Sequence, residues 1–234
     1  MEKVLFGAMK DFEKKWENYF DAKARNFGNR AEALGYKSDR VYFCRRDAVL
    51  ETLRELFHPL RERKILDCGC GNGLFTRPLV SENRVVGIDV SEEMLKIAKE
   101  NGLDVVRGSV LELPFDKDSF DIVISAGVLQ HLDNAEQVSN ECARVVKPGG
   151  AVLIETINNG LPRRLYRAVS RKSADGIKSY KIRDVVLPME KAGLHISGLV
   201  FLYYPFTYRR KGSRAKAGIL NSIFSSAFVA IGRK

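Results

Sequence analysis

Only three histidines and four cysteines occur among the 234 residues, and the cysteines show no paired C-x-x-C spacing. That scarcity argues against a zinc site and against a disulfide scaffold, and it fits a reducing compartment. No apolar run is long enough to span a bilayer: the uncharged stretch Ala217 to Gly232 has 16 residues and is interrupted by Asn221 and serines. The opening MEKVLFGAMKDFEKKW offers too short an apolar run for a secretory signal, and charges break it. The expectation is a cytoplasmic protein with no metal centre. Acidic charge is scarce in one region. Residues 158–234 hold 16 Lys+Arg against 3 Asp+Glu, whereas residues 1–157 hold 23 against 26. The whole excess of +10 therefore lies in the C-terminal third. Such asymmetry suggests an anionic partner surface, either a membrane, with peripheral attachment, or a nucleic acid.

What is present centres on Lys64 to Val90, KILDCGCGNGLFTRPLVSENRVVGIDV. Ile65 and Leu66, then Val85, Val86 and Ile88, form two short apolar runs with the composition of buried parallel strands. Between them lie Asp67-Cys68-Gly69-Cys70-Gly71-Asn72-Gly73 and an expected helix from about Leu74 to Val80. Glycines at a strand-to-helix turn let the backbone pass close under a ligand. Asp89, ending the second strand, is a carboxylate that could bind the two hydroxyls of a ribose, and Asp67 could accept from an amino group. A dinucleotide fingerprint needs glycine at the sixth place of G-x-G-x-x-G. Counted from Gly69, that place is Leu74.

The D-x-G-x-G-x-G pattern followed one strand later by an acid resembles motif I of the class I S-adenosylmethionine (SAM) methyltransferases. The block GSVLELPFDKDSFDIVISAGVLQHL and the phrase ARVVKPGGAVLIET resemble the segments that follow it in that family. The resemblance covers roughly residues 60–200. It implies a doubly wound, seven-stranded, mostly parallel α/β sheet of Rossmann-like type, whose seventh strand, Ser226 to Arg233, inserts antiparallel between the fifth and sixth. It further implies that SAM, and its product S-adenosylhomocysteine (SAH), contact Asp67, Gly69, Cys70, Gly71, Asn72 and Gly73, then Asp89 and Val90; Met94, one turn inside the next helix, could pack against the adenine, and core packing would explain it nearly as well. Ser109 and Val110 follow the third strand, and Ser125 and Ala126 end the fourth. Ser109 stands where the family usually has an acid that meets the adenine amino group.

The remaining chain frames this unit. Residues 1–58 are expected to form a helical cap on a methyltransferase domain spanning 59–234. Phe12, Trp16 and Phe20 recur every four residues on one helical face, which serves either as packing or as a lid. Ser38 is the expected N-cap of a second helix reaching about Phe57, with Val41, Val49, Leu50, Leu53 and Leu56 as its buried stripe. Tyr36 or Arg40 is expected to hold the methionyl carboxylate. Ser91 caps a helix with Glu92 and Glu93 in its first turn. A further helix opens at Asp133.

A sulfonium-bound methyl group is already electrophilic, so the chemistry requires positioning rather than a metal. His131, after the fourth strand, is the candidate proton acceptor toward a phenol or enol; an ordering role for the loop is the alternative. The motifs of exocyclic-amine and cytosine C5 methylation are absent after the fourth strand. Residues 155–193 resemble the ubiquinone-biosynthesis O-methyltransferases, which implies oxygen methylation of a small or lipid-linked acceptor. The basic insertion at about 158–180 carries Leu161, Leu165, Tyr166 and Val169 at helical spacing among Arg163, Arg164, Arg167, Arg171 and Lys172. That is the pattern of a helix lying on anionic lipid over residues 161–172, and equally of a solvated basic face. Two other classes stay open. One is a methyltransferase acting on carboxymethylated wobble uridine of tRNA, and the other is a non-catalytic SAM-binding protein.

Overall fold

Four largely apolar segments become parallel strands because they are buried on both faces, β1 (Lys64–Cys68), β2 (Arg84–Asp89), β4 (Phe120–Ala126) and β5 (Val146–Ile157), and the partly exposed β3 (Asp104–Arg107) joins them in parallel at the edge beside β2. Three more complete the sheet: β6 (His195–Tyr203), β7 (Tyr208–Gly212) and β8 (Ala227–Arg233). The computed structural model describes residues 11–36, 39–169, 177–203, 208–212 and 225–234. Strand order is β3-β2-β1-β4-β5-β8-β6-β7. β8 runs antiparallel between β5 and β6, pairing Leu153 with Ile231 on one side and Val200 with Val229 on the other. This is the seven-stranded Rossmann-like arrangement the sequence implies, with β7 added at the edge as a hairpin partner of β6.

The two faces of the sheet feed two cores. Leu66, Val123, Val152, Phe228 and Phe201 point to one side, with α4 (Ala135–Val145) and α6 (Arg183–Lys191). Ile65, Ile122, Ile124, Leu153 and Val229 point to the other, with α2 (Asp39–Leu56). This period-two alternation between cores explains why the strands read as unbroken apolar runs.

Several boundaries differ from expectation for local reasons. The helix expected over 74–80 is a turn followed by a single 3-10 turn, Arg77–Leu79. Pro78 supplies no N–H, and Thr76 is drawn inward to bond Asp67. β5 begins at Val146, which pairs with Phe120 across a register shift. α4 starts at Ala135, because Asn134 rather than Asp133 accepts from Gln137 N and caps it. Ser91 caps α3 (Glu92–Glu100) as expected, accepting from Met94 N. Ser38 lies outside the described residues. The buried stripe of α2 contains the expected Val49, Leu50 and Leu53, with Leu56 packed beside it, and it also takes in Tyr42, Ala48, Thr52 and an arginine, Arg45.

α1 (Asp11–Phe27) and a 3-10 turn, Ala31–Leu34, cover the carboxyl edge of the sheet. α5 (Leu161–Val169) follows β5. Among the described residues, no helix is long and apolar enough to cross a membrane.

Candidate active site

At the carboxyl ends of β1, β2, β3 and β4, where open α/β sheets bind ligands, a cavity lies beneath α1. Its floor is the glycine loop. Gly69 and Gly71 have φ of +70° and +52°, a conformation that costs a side-chain-bearing residue dearly. Gly69 N and Cys70 N both donate to Ile88 O, at 2.7 and 3.1 Å, which locks the loop to β2. Space above it is tight. A Cβ on Gly69 would lie 2.4 Å from Val128, and one on Gly71 would lie 2.3 Å from Leu34. Thus a residue after β4 and a residue of the cap close over the same turn.

Three carboxylates line the cavity, one at each successive strand. Asp67, at β1, is buried and accepts from Thr76 Oγ1 at 2.6 Å. Burial pushes its carboxyl up to about 7, against the opposing pull of that hydrogen bond. Asp89, at β2, accepts from Gly71 N at 2.8 Å and Ser91 N at 3.0 Å, so one side chain orients both the glycine loop and the start of α3. Desolvation raises its pKa despite these bonds. The third, Glu13, comes from α1 and reaches beyond β3, where it accepts from the hydroxyl of Ser109. Ser109 Oγ accepts in turn from Leu111 N at 3.0 Å.

The roof is aromatic. Trp16 and Phe20 face His131, with ring centroids 4.2 and 5.3 Å away and both pairs edge-on. His131 Nε2 lies 3.2 Å from Gln130 Nε2. His131 Nδ1 and Gln130 Oε1 are buried with no hydrogen-bond partner among the described residues. Burial, with Arg45 nearby, pulls the imidazole down to about 4, so it is neutral at pH 7. Tyr36, pushed up to about 12 by burial, keeps its hydroxyl proton. Behind it, Arg45 of α2 binds Glu155 of β5 through Nε and Nη2, at 2.7 and 2.6 Å.

The structure brings together on the cavity wall Asp67, Gly69, Cys70, Gly71, Asp89, Val90, Val110, Ala126, Tyr36 and His131. Six other candidates are placed elsewhere. Asn72 donates to Gly28 O and Arg30 O, both at 3.2 Å, and so ties the loop to the cap. Gly73 packs against Ala98 of α3. Met94 is buried under the cap with Ala24 and Ala33, so core packing accounts for it. Ser109 stands behind Glu13, Ser125 is buried within β4, and Arg40 is exposed on α2. The sequence reading missed Glu13, Leu34, Tyr42 and Gln130 as lining residues. The aromatic face containing Trp16 was visible to it, and Phe12's side chain lies outside the described residues.

This donor and acceptor set fits an adenosyl ligand: carboxylates for hydroxyl and amino groups, a close-approach glycine loop, and buried polar atoms left without partners. A family model described as a methyltransferase domain matches residues 66–154. A ubiquinone biosynthesis O-methyltransferase from Bordetella avium is 31% identical over 172 residues, covering 66% of this chain and 71% of that protein. A biotin biosynthesis bifunctional protein from Cellvibrio japonicus is 32% identical over 170 residues, covering 70% of this chain but 33% of its own length. Among solved structures, the magnesium protoporphyrin IX methyltransferase of Synechocystis, with bound SAH, superposes with a TM-score of 0.69. That match spans 94% of this chain and 99% of that one at 16% identity, and so speaks to the fold alone.

Proposed function

This chain belongs to the class I SAM-dependent methyltransferases, and from that premise we propose that it methylates an oxygen of a small or lipid-linked acceptor seated against His131 beneath α1. The carrying observation is that His131 shares one cavity with the glycine loop and Asp89, and that its buried Nδ1 lacks a partner among the described residues. The Bordetella relative, named for O-methylation in ubiquinone biosynthesis, supports an oxygen acceptor of that kind.

When bound, SAM supplies a methyl group already activated by its sulfonium, so alignment carries most of the rate. Asp89 is placed to accept from the ribose hydroxyls while holding Gly71 N. The Tyr36 hydroxyl, still protonated at neutral pH, donates to the methionyl carboxylate. Leu34, Val128, Trp16 and Phe20 exclude water from the reacting atoms. Turning over the Gln130 amide lets its Oε1 accept from Nε2–H of His131, which satisfies the buried oxygen and leaves Nδ1 as the free lone pair. That nitrogen takes the hydroxyl proton of the acceptor as its oxygen gains the methyl carbon. Because the imidazole is neutral at pH 7, it is ready to do so.

Exposure on α5 supports delivery of the acceptor from an anionic lipid surface. Leu161 and Leu165 are 37% and 56% exposed, on a helix that also carries Arg163 and Arg164. The deciding experiment is methyl transfer from labelled SAM to a panel of free phenols, polyprenylated phenols, amines and tRNA. The expected product is an aryl methyl ether. Transfer confined to an amine or to tRNA would overturn the oxygen assignment.

A further inference from the structure

The three carboxylates of the cavity do not come from equivalent places. Asp67 and Asp89 belong to the sheet, whereas Glu13 is brought in by α1. It arrives at the position where the chain after β3 offers only a serine hydroxyl. Glu13 is buried, at 8% exposure. Its Oε1 accepts from Ser109, and its Oε2 has no hydrogen-bond partner among the described residues. A carboxylate oxygen with no donor from the protein can accept from a ligand, and the cavity that Glu13 lines also takes in Gly108 and Val110, on either side of Ser109 in the chain.

The placement of Glu13 is secured over the full face of the helix. Glu13, Glu17 and Asp21 recur every four residues and so form one stripe. Glu17 binds Arg107 Nη2 at 2.5 Å. Asp21 accepts from Ser91 Oγ at 2.6 Å and from Glu93 N at 3.3 Å. Two acids therefore clamp α1 to the ends of β3 and α3, and the third reaches the cavity.

The order of strands decides what Glu13 can meet. Asp89 ends β2, and the neighbouring strand on its far side is β3. Gly108 N donates to Asp89 O at 3.0 Å, which sets the two strand ends side by side. A nucleoside whose ribose is held by Asp89 thus extends its base either toward β1 or toward β3. The β1 side is occupied by the glycine loop and Asp67. The β3 side offers the apolar walls of Val90 and Val110 and, at its end, the unpaired oxygen of Glu13. An exocyclic amino group is the donor on adenine that such an oxygen can accept from.

We infer that Glu13, supplied by the N-terminal helix, is the residue that recognises the exocyclic amino group of the adenine of SAM, with Ser109 as the group that orients it. This rests on the SAM reading of the cavity. It makes nucleobase selectivity a property of the cap rather than of the sheet.

Calorimetry with SAH and its inosine counterpart, in which a carbonyl replaces the amino group, tests this without any turnover. The wild-type protein is expected to prefer SAH by about tenfold or more, because a carbonyl facing a carboxylate leaves two acceptors opposed. Glu13→Gln is the informative variant, since its amide oxygen can still accept from Ser109 and its amide N–H can donate to the inosine carbonyl. Its preference should collapse to within about threefold or reverse. The double variant Glu13→Gln, Ser109→Asp returns an acid to the same end of the cavity and should restore selectivity for SAH. A preference unchanged in Glu13→Gln would overturn the inference while leaving the SAM reading intact. The same holds for an equal loss of affinity for both ligands, which would place Glu13 on the ribose or in a purely structural role. Failure of the wild type to bind SAH at all would overturn the site reading itself, and this inference with it.

Discussion

Arg45 of α2 and Glu155 of β5 form a bidentate ion pair whose side chains are 11% and 2% exposed. The pair joins a helix that precedes the sheet in sequence to its central strands, directly behind Tyr36, whose ring lies 5.2 Å from the guanidinium carbon. Since the guanidinium is already committed to Glu155, the cation behind this wall holds the fold together rather than waiting for a ligand.

Breaking the pair from one side should be costly. Glu155→Gln or Arg45→Ala is expected to lower unfolding free energy by about 3–5 kcal/mol, because a buried charge is left uncompensated. Arg45→Met with Glu155→Leu should recover most of that loss, since the desolvation of both charges disappears together. Urea unfolding of the three variants measures this. Equal destabilisation in the double variant would mean that packing, not charge, dominates.

Asp89→Ala is expected to cost SAH binding about 2–4 kcal/mol in calorimetry. The variant loses the anchor of Gly71 N and, under the proposed function, the acceptor for the ribose hydroxyls. Unchanged affinity would remove Asp89 from the binding site.

The imidazole of His131, held at about 4 by burial and by Arg45, predicts an unusual pH profile. An exposed histidine would lose its free nitrogen near pH 6.5. Here the acidic limb of kcat/KM should fall well below that, toward pH 4, because kcat/KM reports the free enzyme. His131→Ala should lose activity by about 10²–10⁴-fold with SAH binding retained. A limb that remains in place in that variant would assign it to another group.

Asp67 should make stability fall as pH rises. Its folded value of about 7 exceeds the ordinary 3.8, so the native state keeps a proton that the unfolded state has released. The stabilisation is full below about pH 4 and is lost as pH rises through 7. His131 acts with the opposite sign in the same window, so the comparison is between variant and wild type at each pH. Asp67→Asn should gain in relative stability from pH 5 to pH 8 in urea unfolding without ligand. A pH-independent difference would show that Asp67 is ionised throughout.

If α5 lies on anionic lipid, Leu161→Asp with Leu165→Asp should abolish co-sedimentation with anionic vesicles. Arg163→Glu with Arg164→Glu should weaken it in a salt-dependent way. Binding to tRNA in place of vesicles, sensitive to the arginines alone, would identify the basic surface as a phosphate grip.

Much of this architecture was legible because strands buried on both faces cannot hide their composition. Ile65-Leu66 and Ile122 to Ile124 distribute side chains to two cores and so are apolar throughout. The glycine loop and Asp89 were legible because few other residue types tolerate those backbone angles or that ligand. The segment 74–80 misled because its apolar residues suit a helix, while Thr76 and Pro78 favour a turn. Arg45 could have been found from phase alone. It lies three residues after Tyr42 and four before Val49, on the buried stripe of α2. Glu13 could not, since nothing local separates it from the other charges of α1; only the β3 loop across the cavity gives it a role.

Trp16 is the chain's single tryptophan, and it is in edge contact with His131 at the centre of the cavity. Its fluorescence therefore comes from one place, the roof over the reacting atoms. Any ligand entering beneath α1 must change the polarity beside that indole, and protonation of the neighbouring imidazole should quench it. The protein thus carries its own optical gauge of occupancy, readable in stopped flow without a label. It can time ligand entry separately from any chemistry that follows.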